Sequence, residues 1–372
     1  MIQRRRTQSL LGVLAAFLVI AAACSDDDDD DAAAPAQEEE NGAQEEAGTL
    51  AQVRDRGELI CGVNDVVPGF GLETEEGFEG FDIDYCRVVA AAVLGDADAV
   101  EYRPLTAEQR FTALQAGEID VLIRNTTWTA SRDGTEGSTF LTTTFYDGQG
   151  MMVNADSGFE SIEDLEGATI CVLSGTTTEL NLATRFTGID YTPRTFASNE
   201  DIQPEFEAGA CQGWTSDLSQ LAGIRSAWPE EQGGPDALLI FDEAFSKEPL
   251  GPVVRDGDSE WAQAVDWAII ATIEAEERGI TADNLEEMRA SEDPDVLRFL
   301  GEPVAEEEGA AEEPFDPGLG LDPDFVVNIL EQVGNYGEIY DLHVGPDTPL
   351  GLERGVNAQW TEGGLLYAPP YR

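Results

Sequence analysis

The segment Arg124-Asn125-Thr126-Thr127-Trp128-Thr129-Ala130-Ser131-Arg132 sets two guanidiniums, an amide and several hydroxyls in nine residues. An arginine fork makes two parallel, charge-assisted hydrogen bonds to a carboxylate. A second polar run, Ser174-Gly175-Thr176-Thr177-Thr178, opens a helical stretch, where backbone N–H groups and the helix dipole suit an anion. Asp217 closes another strand-like run, and a carboxylate there can hold an ammonium. An arginine on one wall and an aspartate on the other fit a zwitterion. The plainer readings are arginine pairing with abundant surface carboxylates and Thr hydroxyls capping a helix. Catalysis is poorly supplied. His343 is the single histidine, and no Gly-x-Ser-x-Gly, His-Glu-x-x-His or phosphate-loop lysine motif occurs. Carboxylate pairs are frequent by chance in so acidic a chain, and the spacing of a calcium loop is missing, so no metal and no cofactor is implied.

Positioning these groups falls to an alternation of strands and helices. Leu59–Val63 reads as a buried strand, Gly80–Leu94 as a helix stopped by Gly95, Val100–Arg103 as a strand, Glu108–Ala116 as a helix and Ile119–Ile123 as a third strand. The polar loop Arg124–Arg132 follows that third strand directly, where open α/β sheets place their ligands. The alternation restarts after Gly150: strands over Ala168–Leu173, Tyr191–Phe196, Gln212–Asp217 and Ala237–Phe241, with helices from Ser174, Ile202 and Ser219. Phe145–Gly150 and Ser246–Pro252 read as crossings between two lobes. The pattern predicts an α/β fold of two lobes, each a mainly parallel sheet flanked by helices. Lobe 1 is discontinuous, residues 49–147 and 251–372, and lobe 2 spans 148–250. Further helices are expected over Trp261–Glu277 and Asp324–Val333, and a loop over the acidic stretch Glu302–Pro317.

The N-terminus carries Arg4, Arg5 and Arg6, an apolar run from Leu10 to Ala23 and then Cys24, the layout of a secretory signal peptide. The small residues before Cys24 are similar to a lipoprotein cleavage site, which makes Cys24 the expected site of lipidation and residues 1–24 the leader. Residues 25–48 include six consecutive aspartates, Asp26–Asp31, and no aromatic residue, which predicts a disordered, self-repelling tether. Net charge is −55 and Lys247 is the only lysine, so nucleic acid is excluded as a partner and membrane contact is expected through the anchor alone. Adaptation to a saline habitat is one reading of that surface. Apart from Cys24, four cysteines remain: Cys61, Cys86, Cys171 and Cys211. An even number in an exported chain points to disulfides; Cys61–Cys86 and Cys171–Cys211 are the sequence-near pairing, with three connectivities open.

These residues carry a family resemblance. From Thr49 to Arg372 the chain resembles the type II periplasmic solute-binding proteins of ABC importers, in particular general L-amino-acid binders of the glutamate/glutamine/aspartate/asparagine group. The stretches that carry it include Leu59–Asn64, Gly80–Asp84, Arg124–Arg132, Tyr146–Gly150, Ser174–Leu182, Ser246–Arg255, Val333–Tyr340 and Tyr367–Arg372. The resemblance implies that Arg132, in Thr127-Trp128-Thr129-Ala130-Ser131-Arg132, grips the ligand α-carboxylate. It implies that Asn125 and Thr127 bond the ligand backbone, that Thr176 and Thr177 meet the same carboxylate, and that Asp217 holds the α-ammonium. Arg124 is added as a partner for an acidic side chain, and Phe70 and Trp128 as aromatic candidates for the pocket wall or for packing. The expected function is capture of free L-amino acids by a monomeric, surface-anchored or periplasmic protein that hands them to an ABC permease. A sensor module with the same pocket, or a cyclohexadienyl-dehydratase-like lyase on the same fold, is the alternative.

Overall fold

The computed structural model describes residues 48–304 and 313–372. The leader, Cys24, the tether and the centre of the acidic stretch after Val304 lie outside the described residues.

Two five-stranded sheets organise the chain. The first runs, in spatial order, Val100–Pro104, Leu59–Val63, Val121–Leu122, Val253–Arg255, Ser138–Phe140. The second runs Thr192–Phe196, Thr169–Leu173, Gly213–Asp217, Gln149–Asn154, Leu238–Ile240. In each, four strands point the same way and one is antiparallel: Val253–Arg255 in the first, Gln149–Asn154 in the second. These exceptions follow the two crossings. The chain leaves the first sheet through Phe145–Asp147 and returns through Glu248–Leu250; these two segments pair antiparallel, with Asp147 opposite Glu248.

The inner strands form because their apolar residues are covered on both faces, as parallel sheets require, while the outer strands Val100–Pro104 and Thr192–Phe196 are partly exposed. The helix Phe81–Leu94 is the centre of the first lobe, with only Arg87 and Leu94 escaping full burial. It begins at Gly80, where φ is 130° and an added Cβ would sit 2.3 Å from the Phe70 carbonyl oxygen, so only glycine fits. It ends at Gly95 in the left-handed conformation, whose N–H bonds the Ala91 carbonyl. Ser259–Glu277, Phe325–Gln332 and Tyr336–His343 pack beside it, and Tyr85 Oη lies 3.3 Å from Thr272 Oγ1. The disulfides are the sequence-near pair. Cys61–Cys86 ties the first strand to this helix, and Cys171–Cys211 ties a lobe 2 strand to the loop entering Gly213–Asp217.

Several expected boundaries contract: Glu108–Ala116 is helical only over Arg110–Gln115, and Ile119–Ile123 is a strand only over Val121–Leu122. The helices Thr49–Arg56 and Tyr336–His343 and the three-stranded ribbon Val66–Val67, Gly71–Thr74, Gly77–Glu79 carry too short a pattern to read in advance. Of the two readings open for Phe70, pocket wall or packing, the structure shows packing. Its ring is buried and packs 5.8 Å from Phe81 and 5.1 Å from Phe145. Among the described residues no helix is long and apolar enough to cross a membrane.

Candidate functional site

The polar loops meet where the two sheets face each other. Arg124 follows the strand Val121–Leu122, and its Nε donates to the Leu105 carbonyl at 2.7 Å. Burial pushes its guanidinium down to about 10, against the pull of Asp82 and Asp65. The next residue, Asn125, has φ 28°, a left-handed conformation that asparagine tolerates best of the residues with a side chain. Its N–H donates to Asp82 Oδ2 at 2.6 Å, so Asp82 pins the turn from below. Burial raises the Asp82 carboxyl to about 7, with the Asn125 N–H and Arg124 opposing.

Thr129 caps the short helix Ala130–Thr135 by accepting from the Arg132 N–H at 3.2 Å, which fixes where the Arg132 side chain starts. Arg132 Nη1 donates to the Thr127 carbonyl at 2.9 Å. Its guanidinium carbon lies 5.6 Å from the centre of the Phe111 ring, and that of Arg110 lies 5.3 Å from the same centre. Arg110 is 2% exposed, and its Nε has no hydrogen-bond partner among the described residues. Burial, then repulsion from Arg132 and Arg124, lowers its affinity for a proton. Three guanidiniums therefore share one wall.

The opposite wall is built by lobe 2. Thr176 caps the helix Thr177–Arg185 by accepting from the Glu179 N–H at 3.1 Å, and its hydroxyl donates to the Leu173 carbonyl at 2.7 Å. Thr177 Oγ1 donates to Glu248 Oε2 at 2.7 Å. Asp217 ends its strand, is buried, and caps no helix N–H with its side chain. Burial, reinforced by the neighbouring Asp147 and Glu248, raises its carboxyl well above the ordinary carboxylate range. Asp147, held up to about 6 mainly by burial, accepts from the Ser219 N–H at 3.2 Å.

The walls touch. Asn125 Nδ2 donates to Asp217 Oδ2 at 3.2 Å and to Gln220 Oε1 at 3.3 Å, and Thr127 Oγ1 lies 3.3 Å from Thr177 Oγ1. Nearby, a Cβ added to Gly223 of the helix Leu218–Ser226 would lie 2.5 Å from the Pro68 carbonyl oxygen. Three cavities lie in series along this cleft. A central one of about 20 Å³ is lined by Arg110, Arg124, Asn125, Thr127, Thr176, Thr177 and Asp217 among others. It shares Thr176 and Thr177 with a groove of about 520 Å³ that also reaches Arg132. It shares Arg124 and Leu173 with an outer chamber of about 110 Å³.

The structure thus brings Arg124, Asn125, Thr127, Thr176, Thr177 and Asp217 to one cavity and sets Arg132 beside it. Trp128 stands apart: it is 43% exposed and stacks on Phe140 at 6.0 Å. Sequence reading missed Arg110, Asp82, Gln220 and Glu248. Arg110 carried a weak signal, a charged residue within the amphipathic stretch Glu108–Ala116; Asp82 and Glu248 lie in stretches that carry the family resemblance, Gly80–Asp84 and Ser246–Arg255, and Gln220 carried no signal. Among the described residues no group of three or more His, Cys, Asp or Glu side chains is placed to hold a metal ion.

Comparison with known proteins points the same way. The family model for bacterial extracellular solute-binding proteins, family 3, matches residues 59–279. The glutamate/glutamine/aspartate/asparagine-binding protein BztA of Rhodobacter capsulatus is 48% identical over 330 residues, 88% of this chain and 94% of that protein. The general L-amino acid-binding periplasmic protein AapJ of Rhizobium johnstonii is 46% identical over 329 residues, 88% and 93% of the two chains. A solved periplasmic binding protein of an ABC transporter from Brucella ovis, with glutathione bound, superposes with a TM-score of 0.82 at 46% identity, covering 88% of this chain and all of that one.

Proposed function

Because the chain belongs to family 3 of the bacterial extracellular solute-binding proteins, we propose that it captures free L-amino acids between its lobes and delivers them to an ABC permease. The observation that carries this reading is the charge layout of the cleft: Arg124 and Arg110 line the buried central cavity opposite Asp217, and Arg132 borders the adjoining groove that shares Thr176 and Thr177 with it. The α-carboxylate lies against Arg132, Thr176 and Thr177, and the α-ammonium against Asp217. Asn125 and Thr127, which now bond across to lobe 2, turn their hydrogen bonds to the ligand. Arg124, with Arg110 behind it, faces the ligand side chain and favours acidic and amide-bearing amino acids, in keeping with what the relative from Rhodobacter capsulatus is named for binding.

Lobe 1 comprises residues 49–147 and 251–372, and lobe 2 residues 148–250, hinged at the paired crossings Phe145–Asp147 and Glu248–Leu250. Ligand contacts made to both lobes exist only in the closed form, so ligand shifts the population toward it. A lipid on Cys24 and the acidic segment 25–48 tether a monomeric binding body to the membrane. The protein binds and releases its ligand unchanged; the cleft holds no histidine, and its carboxylates are placed to hold charge.

The test is calorimetric titration of residues 49–372 with the L-amino acids and their D-forms. Stoichiometric binding of several L-amino acids, with acidic and amide side chains tightest and ligand recovered intact, is expected. No binding of any of them refutes the reading.

A further inference from the structure

The two crossings pair as a short ribbon: Phe145 with Leu250, Tyr146 with Pro249 and Asp147 with Glu248. Its last two rungs are held by different lobes. At the Asp147–Glu248 rung both side chains are taken by lobe 2. Asp147 Oδ2 accepts from the Ser219 N–H at 3.2 Å and from the Ser219 hydroxyl. Glu248 accepts from Thr177 Oγ1 at 2.7 Å and from Asn181 Nδ2 at 2.8 Å. At the Tyr146–Pro249 rung both backbones are taken by lobe 1. Pro249 has no N–H to give, and its carbonyl accepts from the Trp128 N–H at 2.8 Å. Tyr146 finds its partners on the other edge of the ribbon. The Asn357 carboxamide accepts from the Tyr146 N–H at 2.7 Å through Oδ1 and donates to the Tyr146 carbonyl at 3.0 Å through Nδ2. One side chain thus stands in for a third strand and satisfies both backbone groups.

Asn357 is itself fixed. It is 4% exposed and lies in the C-terminal segment, beyond the residues 59–279 that match the family model. Arg354 Nε donates to the Asn357 carbonyl at 3.0 Å, and the same guanidinium grips Glu276 through Nη1 at 2.7 Å and Nη2 at 3.0 Å. Gln359 Nε2 donates to the Ile273 carbonyl at 3.2 Å and to Glu276 Oε2 at 2.7 Å. Both anchors sit on the helix Ser259–Glu277, in the core of lobe 1.

We propose that lobe closure pivots between these two rungs, and that Asn357 is the positioning residue that confines it there. Every contact of the clamp lies within lobe 1, so closure leaves it intact. With Tyr146 held, bending on the outgoing strand falls between Tyr146 and Asp147. On the returning strand the Pro249 ring fixes its φ, and the freedom lies at Glu248. Without the clamp Tyr146 joins the hinge, and closure must order one more residue. This inference rests on the two-lobed, ligand-closing reading above.

The experiment uses the chain from Ser25 onward, which omits Cys24 so that only introduced cysteines take label. Nitroxides at Glu118→Cys and Thr184→Cys, exposed positions on lobe 1 and lobe 2, report the interlobe distance. In Asn357→Ala the ligand-free distance distribution is expected to broaden, and the distribution at saturating L-glutamate to coincide with wild type. The dissociation constant for L-glutamate is expected to rise about 5- to 30-fold, the equivalent of ordering one further backbone residue. An unchanged ligand-free distribution in the folded variant overturns the inference whatever the thermal midpoint does, because a merely structural side chain would lower stability alone. If the wild type binds no amino acid, the amino-acid reading falls and the ligand-free distribution still decides on Asn357. Should the variant not fold, amide exchange of the wild type decides. The Tyr146 N–H is expected to exchange at rates within about threefold with and without L-glutamate, and a larger acceleration in the ligand-free protein overturns the inference.

Discussion

Closing the cleft requires two backbones to meet with no side chain between them, and Gly223→Ala tests that requirement. A methyl there would lie 2.5 Å from the Pro68 carbonyl oxygen, well inside van der Waals contact, and the atom in the way is backbone rather than a mobile side-chain tip. Overpacking of this kind costs about 1–3 kcal/mol. In the proposed open form the helix Leu218–Ser226 moves off Pro68, and on that reading the cost falls on the closed form only. In the open form alanine is the better helix residue, by roughly 0.5–1 kcal/mol. The closed population therefore drops, and apparent affinity falls in proportion to the competent fraction. With about 1.4 kcal/mol per factor of ten, the dissociation constant should rise roughly 5- to 150-fold. Titration calorimetry reads that change, small-angle scattering reads a more open ligand-free particle, and thermal unfolding reads a midpoint unchanged or slightly higher. Affinity within twofold of wild type would refute the closure argument. A fall in affinity together with a drop of several degrees in the midpoint would mean general damage instead.

Arg132→Ala should weaken every L-amino acid by about tenfold or more, since it removes a charge-assisted pair of roughly 1.5–3 kcal/mol; near-normal titration curves would remove Arg132 from the site. Asp217 is raised well above the usual carboxylate range, so the ligand-free protein holds its proton to higher pH, and an arriving ammonium drives that proton off. Affinity should then rise with pH until Asp217 is ionised in the free protein, with proton release measurable by calorimetry in buffers of different ionisation enthalpy. Asp217→Asn should abolish the release and weaken binding by about 2–5 kcal/mol; unchanged release would sink the assignment. Thiol titration of unreduced residues 49–372 should find no free thiol, and reducing both disulfides should destabilise the fold by about 3–4 kcal/mol each, from loops closed over separations of 25 and 40 residues. With a formal net charge of −55, thermal stability should climb from low to molar NaCl as repulsion is screened; a fall over that range would reject the saline-habitat reading.

Much of the protein follows from local chemistry. The strand–helix alternation, the stop at Gly95, the caps at Thr129 and Thr176 and the polar loops after strand ends are short-range consequences of apolar spacing, backbone freedom and hydroxyl capping. So the loop Arg124–Arg132, the run Ser174–Thr178 and Asp217 could be read as candidate ligand groups, within which the family resemblance implied Asn125, Thr127, Arg132, Thr176 and Thr177, and the sequence-near disulfide pairing is the one observed. What tertiary structure alone decided is which groups lose their water together. Arg110 stands in the same amphipathic stretch whether it faces solvent or a cleft; only the approach of Arg124 and of the lobe 2 residues around Asp217 buries it with an unpartnered Nε. Glu248 joins Asp147 only because two crossings far apart in sequence pair antiparallel, and both add to the rise that burial imposes on Asp217. Phe70, an aromatic in a turn, could equally have lined a pocket, and the packing of Phe81 and Phe145 put it in the core. Desolvation and charge coupling are properties of distance in space, and the sequence specifies them only through the fold.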